Sequence, residues 1–450
     1  MTIHVRCGTL FTGLSAEASS DQSFLFDGSI ISYVGPTASA PAPAPGDEVI
    51  DHSRNFVMPG LIDVHTHLAY GNAKTEEDID LYSSLEFRAL RGLFFAQRVL
   101  ASGYTSLCAP GDAGRVTIAI RDAIEAGLFP GPRITTAGPY ITSRQGLTDF
   151  YPTWIGVPET AIGRLVRSRD EALEEIRRQV KDGVDCIKLA MDGVQRNPSG
   201  QLIAAFNQEE TTAMVAESHR LGRKVMAHAR GREATLYCAR AGVDLIYHAF
   251  EMDDECLEAI LRNNCVIGPT LTLMRNWIDF TRPSDGSFAQ RKDRDSEGDF
   301  VRWCENLARA HAAGVPMVTG TDSGFAVTPY GEWHAREIEI FVGHLGYSPG
   351  EALMAATSMA APLLRGGHKV GALVSGRAAD FVIFDGNPLI DVSILQDRER
   401  LKEVYIGGQP AQMSVPDYDP RKVSDFSFNH WNDLYTRERV AELSVLNLSR

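Results

Sequence analysis

The sequence predicts an α/β protein, a (β/α)8 TIM barrel with a small β-sandwich domain that is formed from both chain ends. Three observations predict this fold. Short β-branched runs alternate with amphipathic helical stretches from residue 57 to about residue 325, eight such runs can be counted, and further β-type runs stand at both ends of the chain. Strands that alternate with helices indicate parallel pairing with right-handed crossovers. Eight such units fit a closed barrel better than an open sheet.

The β-sandwich domain is predicted at residues 1–57 plus 365–415. The N-terminal part contains short β-type runs at 24–26 and 30–34, which turn signals separate. We expect these strands to pair with strands of the C-terminal part in a single domain. The β-like runs of the C-terminal part are 371–374, 379–384 and 404–408.

The barrel is predicted at residues 58–364. Two of its helices carry clear start signals. In the first, Glu171 follows Ser168 at the spacing of a capping box. Glu210 follows Asn207 at the same spacing. The eight predicted strands are 57–68, 104–110, 133–141, 186–192, 224–230, 245–250, 265–270 and 316–322.

A polar extension is predicted at residues 416–450. We expect its aromatic side chains to pack against the body of the protein or against a neighbouring subunit, and we expect a homo-oligomer. These aromatic residues include Phe426, Phe428, Trp431 and Tyr435.

Composition excludes several classes of partner. The 450 residues carry 44 Lys and Arg against 58 Asp and Glu, a net charge of -14, which argues against binding to nucleic acid or to an anionic membrane. The chain has neither an 18-residue apolar run nor the pattern of a signal peptide. Its seven cysteines are scattered without a Cys-x-x-Cys pair, which is typical of reduced thiols in a cytoplasmic protein.

Polar residues gather at the predicted carboxyl ends of five strands, the end at which barrels place their chemistry. His65 and His67 are two residues apart in one strand, so both imidazoles face the same side. A single histidine of this kind is more often a hydrogen-bonded core residue. Four buried imidazoles without partners, however, would cost several kcal/mol, and a shared metal removes that cost. The candidate ligands are His65, His67, Lys188, His228, His248 and Asp322.

Two divalent ions fit this number of ligands better than one. His65 and His67 with Asp322 can hold one ion, and His228 with His248 can hold the second. The remaining residue, a lysine, then has to bridge the two ions.

Lys188 is the predicted bridge. A surface lysine is the plain alternative, but the neighbours Cys186, Ile187 and Leu189 make an exposed position unfavourable. An ammonium beside two dications is untenable, whereas desolvation favours the neutral amine. A neutral amine can take up CO2 and become a carbamate, which offers two oxygens as a carboxylate does.

Four motifs carry a family resemblance. They are the segments 59–67 (PGLIDVHTH), 320–324 (GTDSG), 352–361 (ALMAATSMAA) and 374–382 (VSGRAADFV). The chain resembles the amidohydrolase superfamily, in its binuclear type with a carbamylated lysine, nearest to the prolidase-like and imidazolonepropionase-related branch. The resemblance covers roughly residues 1–410. It departs from the prolidase-like pattern after strand 3, where the Gly-Gly-His segment is missing.

The resemblance implies a mechanism. A hydroxide that bridges the two ions attacks a substrate carbonyl polarised by one of them. Asp322 takes the proton of the water and passes it to the leaving nitrogen. Zinc is the usual metal of His and carboxylate sites, and Co2+ or Mn2+ could occupy the same ligands.

Residues in the predicted mouth loops indicate the substrate. Aromatic side chains suggest a hydrophobic or aromatic group on a small-molecule substrate, although they could equally pack the loops together. If the loop arginines clamp a carboxylate, the substrate is an N-acyl amino acid or a dipeptide. If they pair with acidic neighbours, it is a neutral aryl amide, carbamate or urea. The candidates are Tyr140, Arg144, Arg230, Arg275, Trp277, Tyr330 and Trp333.

Hydrolysis of an amide-type C–N bond is therefore the first prediction. A deaminase of a ring amidine and a lactonase are the alternatives on the same fold. An assembly protein that has lost its activity is the non-enzyme alternative, but such proteins lose metal ligands, and all six positions are filled here. A dehydrogenase is excluded because no Gly-x-Gly-x-x-Gly follows a predicted strand.

Overall fold

The structure is a computed structural model, and it describes residues 1–282, 285, 296–423, 431 and 433–448. Phe426 and Phe428 of the predicted extension lie outside the described residues.

The described strands alternate with helices through the middle of the chain. The strands are β1 (Thr2–Leu10), β2 (Ser19–Asp27), β3 (Ile30–Pro36), β4 (Glu48–Pro59), β5 (Leu61–Asp63), β6 (Tyr104–Ala109), β7 (Arg133–Thr136), β8 (Tyr140–Thr142), β9 (Gly163–Leu165), β10 (Cys186–Ala190), β11 (Asp192–Arg196), β12 (Leu202–Ala204), β13 (Lys224–Ala229), β14 (Leu245–His248), β15 (Val266–Gly268), β16 (Phe381–Phe384), β17 (Leu401–Ile406) and β18 (Gln409–Pro410). The helices are α1 (Glu76–Asp80), α2 (Leu85–Ala101), α3 (Val116–Glu125), α4 (Arg169–Asp182), α5 (Gln208–Arg220), α6 (Arg232–Ala241), α7 (Asp254–Arg262), α8 (Leu271–Phe280), α9 (Ser296–Ala312), α10 (Arg336–His344), α11 (Pro349–Ala355), α12 (Pro420–Val423) and α13 (Arg437–Leu448).

Both chain ends contribute to one sheet. Its strand order is β18-β17-β16-β4-β1-β2-β3, so β4 lies between the N-terminal β1 and the C-terminal β16. Pro59 pairs with Phe381 in this sheet, and Phe381 packs edge-on against Phe24 of β2 at 4.9 Å between ring centroids. The two ends therefore share an apolar core. The described strands make one seven-stranded sheet here, whereas the sequence analysis expects a sandwich of two.

The middle of the chain confirms the α/β class. Strands β5, β6 and β7 form one parallel sheet, and a second sheet has the order β15-β14-β13-β10-β8-β9. Among the described residues these two sheets are not joined into one closed ladder. They approach each other on one side where the Asp185 N–H donates to the Thr136 carbonyl at 2.8 Å.

The predicted eighth strand, 316–322, is not a regular strand. It makes an isolated bridge between Ile267 and Met317, and the Val64 N–H donates to the Thr319 carbonyl at 3.1 Å. The segment thus connects β15 to the residues after β5 without forming a ladder. The segment ends at Asp322, whose φ of 57° takes the backbone out of the extended region.

The predicted start signals of two helices are confirmed. Asn207 and Glu210 form a complete capping box at α5, and the Ser168 side chain accepts from the Glu171 N–H at α4. Within the described ranges, no helix combines the length and the apolar character that crossing a membrane requires. All seven cysteines are free and buried.

The segment after β15 corrects one expectation. Arg275 and Trp277 are predicted to lie in a mouth loop, but both lie in helix α8. The first turn of α8 has no side-chain cap of its own. Instead, the buried Glu337 of α10 accepts hydrogen bonds from the Leu271 and Thr272 N–H groups at 3.0 and 2.7 Å. A cap from a residue so distant in sequence leaves no local signal.

Candidate active site

Five of the six candidate ligands line one cavity of about 230 Å³, and the sixth, His248, is not a lining residue but contacts His228, which is. All six are buried. His65 and His67 follow β5, Lys188 and His228 lie within β10 and β13, and His248 ends β14. Asp322 ends the segment 316–322, and the carboxyl ends of parallel strands in such folds point to one side. The cavity-lining ligands are His65, His67, Lys188, His228 and Asp322.

The first group consists of His65, His67 and Asp322. The Nε2 atoms of the two histidines are 3.1 Å apart. Asp322 Oδ1 lies 3.5 Å from His65 Nε2 and 3.1 Å from His67 Nε2. His67 Nδ1 donates to the Gly111 carbonyl at 2.7 Å, so its Nε2 is the atom left to face the cluster.

The second group consists of His228 and His248. His248 Nε2 lies 2.9 Å from His228 Nδ1. The Thr270 hydroxyl donates to the Pro269 carbonyl and therefore accepts from His248 Nδ1, 2.5 Å away. This hydrogen bond turns His248 Nε2 towards the cluster.

The two groups are not separate in space. One ligand atom each from His65, His248 and Asp322 lie within 4.8 Å of one another, which is close enough for a shared metal ion. This trio takes one residue from the second group and two from the first. The structure therefore brings the predicted ligands together in one cluster but does not divide them between two ions.

Lys188 lies between the two groups. Its side chain is 2% exposed, and its Nζ is 3.7 Å from the centre of the Tyr247 ring. Among the described residues, Nζ has no hydrogen-bond partner. Burial lowers the pKa of Lys188 to about 7, so a large share of the amine is neutral near neutral pH.

Burial also favours the neutral form of three of the histidines. It lowers the pKa values of His65, His228 and His248 well below the ordinary range, and the nearby positive charges lower them further. Asp322 shows the opposite balance. Burial on its own raises the pKa of Asp322, but the contact with His67 and the nearby His248 and Lys188 outweigh it and leave the pKa below its ordinary value. Neutral imidazole and ionised carboxylate are the metal-binding forms.

Asp63 holds the first group in place through hydrogen bonds. It accepts from the His65 N–H at 2.9 Å and from the Thr321 hydroxyl at 2.5 Å. His334 Nδ1 lies 2.7 Å from Asp63 Oδ2, the oxygen that also accepts from Thr321. The carboxylate thus ties the segment after β5 to the segment before Asp322. Asp63 and His334 are positioning residues that sequence reasoning missed, because each is an ordinary polar residue until the fold pairs them.

Backbone conformation is unusual at the same place. His248, Ala249, Thr270 and Asp322 have φ values of 74°, 52°, 55° and 57°. Such left-handed conformations are unfavourable for residues with a side chain, and they concentrate at functional sites. They end β14 and the segment 316–322 abruptly, which turns the His248 and Asp322 side chains into the cluster.

The walls of the cavity are largely apolar and aromatic. Phe250 stacks on Trp303 at 4.5 Å between ring centroids, and Tyr70 meets Phe325 edge-on at 5.2 Å. The remaining apolar and aromatic lining residues are Tyr140, Leu147, Phe150, Val194, Leu202, Leu273, Met274, Trp277, Ile278 and Trp431. A few charged groups interrupt this surface, and a cavity of this character binds a ligand with an apolar part.

Residues 56–411 match the amidohydrolase family. The chain belongs to that family.

Known amidohydrolases and their relatives support the same assignment. Ochratoxinase of Aspergillus niger is 26% identical over 431 residues, which cover 90% of this chain and 85% of that protein. A Xaa-Pro dipeptidase with bound methionine in its active site has a TM-score of 0.79 at 28% identity, covering 91% of this chain and 99% of that chain. A prolidase complexed with N-methylphosphonate-L-proline has a TM-score of 0.78 at 26% identity, with the same coverage. The protein is an amidohydrolase and a hydrolase of C–N bonds, and the structures it resembles include prolidases.

Three of the predicted substrate residues of this amidohydrolase line the cavity. They are Tyr140, Arg230 and Trp277. Arg230 donates to the Gly193 carbonyl at 2.6 Å, and its Nε lies 3.6 Å from the buried Asp192. Arg230 is therefore held by the β11–β12 hairpin.

The other four are not among the lining residues. Arg275 of α8 forms ion pairs with Asp279 of the same helix and with Glu297 of α9. The exposed Arg144 is not among the lining residues. The remaining two of the four are the aromatic residues Tyr330 and Trp333.

Tyr330 and Trp333 have structural contacts instead. The Tyr330 hydroxyl donates to the His67 carbonyl, and its ring stacks on Phe95 at 4.5 Å. The Trp333 indole N–H donates to the Tyr435 carbonyl at 2.7 Å. Some of the predicted loop aromatic residues therefore pack the loops together, which is the alternative that the sequence left open.

Charged residues on the wall include several that the sequence did not single out. Arg196 of β11 pairs with Glu251 at 2.9 Å at the mouth. Glu76 lies at the start of α1 and also lines the cavity. Burial and the neighbouring acids Asp80 and Glu77 together raise the pKa of Glu76 to about 8. No motif marks these positions, since each is a common surface residue type.

Proposed function

We propose that this protein is a binuclear, metal-dependent amidohydrolase that cleaves an amide-type C–N bond beside a hydrophobic or aromatic group of a small-molecule substrate. The observation that carries the proposal is the position of the six-residue cluster, which lies at the inner end of a cavity with apolar walls. We further propose that the two parallel sheets and residues 316–322 form the predicted barrel.

The donor set fits divalent metal ions. His67 Nε2 and Asp322 Oδ1 are 3.1 Å apart, and both present lone pairs when the imidazole is neutral. Two acceptors at this distance need a proton or a cation between them. His65, His228 and His248 add further neutral nitrogens to the same space. We propose zinc as the metal, because imidazole and carboxylate are its usual ligands.

The neutral Lys188 amine supports the proposed carbamate. Nζ attacks the carbon of CO2, an N–C bond forms, one C=O electron pair moves onto oxygen, and a proton leaves Nζ. The product replaces a partly cationic group with an anionic one and so suits a site for two dications.

When bound, the ions would polarise the substrate carbonyl and acidify water. Asp322 is the proposed proton acceptor, because its lowered pKa keeps the carboxylate deprotonated at neutral pH. Its Oδ atoms face the cavity, where the carboxylate can take a proton from water and return it to the leaving nitrogen. The aromatic walls exclude bulk water and orient the apolar part of the substrate.

The substrate class follows from the walls. Trp277, Phe325 and Tyr140 offer apolar contact, and Arg230 is the one predicted arginine that reaches the cavity in the described structure. We therefore propose an N-acyl amino acid, a dipeptide or an aryl amide, carbamate or urea. An Arg230→Met variant separates these cases, since only carboxylate-bearing substrates should lose affinity.

The test combines metal analysis with a substrate panel. We expect about two divalent ions per chain and turnover of at least one N-acyl amino acid, dipeptide, anilide, urea or carbamate. Lys188→Met should lose metal and activity, whereas Lys224→Met on the adjacent strand should retain both. Asp322→Asn should stay folded and lose turnover. An enzyme that remains active after complete metal removal contradicts the proposal.

A further inference from the structure

The C-terminal extension packs against the wall of the cavity. The family match ends at residue 411, whereas described residues continue to 448. The Tyr435 N–H donates to the Ala326 carbonyl at 3.1 Å, and the Tyr435 ring stacks on Phe280 at 5.6 Å between centroids. The extension is thus attached to α8 and to the loop that follows Asp322.

These contacts form an apolar cluster, which we name the extension cluster. Trp431 is 5% exposed in this cluster. Its neighbours in sequence, 424–430 and 432, are outside the described residues. Its buried members are Ala326, Val327, Trp431, Tyr435 and Leu443, and its partly buried members are Leu273, Trp277, Phe280, Phe325, Leu434 and Val440.

Only part of the extension cluster reaches the cavity. Leu273, Trp277 and Phe325 of the barrel region line it, and Trp431 lines it from the extension. Tyr435 and Leu443 belong to the same cluster but are not lining residues. Trp431 is therefore the described residue through which the extension touches the cavity.

We propose that Trp431 is a specificity-determining residue, which closes one side of the cavity and receives the hydrophobic or aromatic group of the substrate. The inference rests on the proposed C–N hydrolase function and adds where that group binds. The wall that Trp431 shares with Leu273, Trp277 and Phe325 is uncharged, so it favours an apolar group. Two indoles and a phenyl ring also offer stacking and edge-on contacts to an aromatic group.

The alternative is that Trp431 only holds the extension in place. Leu443 provides the matched control, because it is a buried member of the same cluster away from the cavity. If packing alone matters, Leu443→Ala and Trp431→Ala should have similar effects. If Trp431 contacts the substrate, only Trp431→Ala should change selectivity.

The experiment compares substrates that differ only in an aromatic group. The kcat/KM ratios are measured for N-benzoylglycine over N-acetylglycine and for N-acetylphenylalanine over N-acetylglycine, so that either side of the scissile bond is tested. We expect Trp431→Ala to lower the higher of the two ratios by about tenfold or more, as the loss of a hydrophobic contact does. Trp431→Phe should retain most of the preference, and Leu443→Ala should leave both ratios within about twofold of the wild type.

Two results would overturn the inference. In the first, the ratios of Trp431→Ala equal those of the wild type at unchanged thermal stability. In the second, Leu443→Ala changes the ratios as much as Trp431→Ala does. Failure of the proposed function looks different, because the wild type would then hydrolyse no compound of the wider panel. In that case the same three compounds are titrated calorimetrically into the full-length protein, and an equal affinity of wild type and Trp431→Ala for the aromatic compounds again overturns the inference.

Discussion

Glu337 offers the sharpest test of how the cavity wall is built. Its carboxyl group is fully buried and accepts from the Leu271 N–H, the Thr272 N–H and the Thr272 hydroxyl at 3.0, 2.7 and 2.6 Å. Glu337→Ala leaves these three donors at the start of α8 unpaired. A buried donor without a partner costs about 1 kcal/mol or more, so the variant should lose at least about 3 kcal/mol of unfolding free energy.

The loss should also depend on pH. Burial raises the pKa of Glu337 to about 7, above the ordinary value of 4.5 that applies to the unfolded chain. The native state therefore binds the proton more tightly. The stability that Glu337 contributes is complete below about pH 4.5 and declines as pH rises through 7, by about 3 kcal/mol in total. The loss of unfolding free energy caused by Glu337→Ala should be largest near pH 5.

Urea unfolding at pH 5, 6.5 and 8 measures this difference. Glu337→Gln is the control, because an amide cannot titrate, and its stability relative to Glu337→Ala should not change with pH. A cost below about 1 kcal/mol at pH 5, or one that grows towards pH 8, refutes the argument from these hydrogen bonds.

Two further predictions concern the cluster and the cavity wall. Gly320→Ala would place a Cβ 2.8 Å from His65 Cβ, so we expect bound metal to fall in elemental analysis, whereas Gly343→Ala, whose Cβ would have no neighbour within 4 Å, should keep it. Equal metal content in both variants contradicts this. Because the pKa of Glu76 is raised to about 8, the wild type loses stability as pH rises from about 4.5 through 8. Glu76→Gln should therefore raise the melting temperature more at pH 9 than at pH 5, and an equal gain at both would show that its burial is not the cause.

His65, His67 and Asp322 could be proposed as ligands from the sequence because they belong to short local patterns. His65 and His67 alternate within one strand, and Asp322 follows an apolar run in a Gly-rich motif. Such patterns depend only on the period of a strand and on the end at which it stops. The division of the ligands between two ions depends instead on distances across the cluster, and no sequence pattern contains these.

The substrate residues were harder to predict, because their environment is set by distant partners. Arg275 is an ordinary loop arginine in the sequence, but Glu337 caps the helix that carries it and Glu297 pairs with it. Tyr330 looks like a loop aromatic until its hydroxyl meets the His67 carbonyl. Trp431 shows the reverse case, since an extension residue expected to pack also reaches the cavity.

The sheet that joins the two chain ends has a consequence for synthesis on the ribosome. When β1 and β4 have emerged, β4 still lacks the neighbour that will pair Phe381 with Pro59, and most of the chain has yet to be translated. During that time β4 presents an open row of backbone donors and acceptors, which invites pairing between nascent chains. We therefore expect chains that stop before residue 381 to depend on chaperones and to aggregate, even though every predicted metal ligand would already be present.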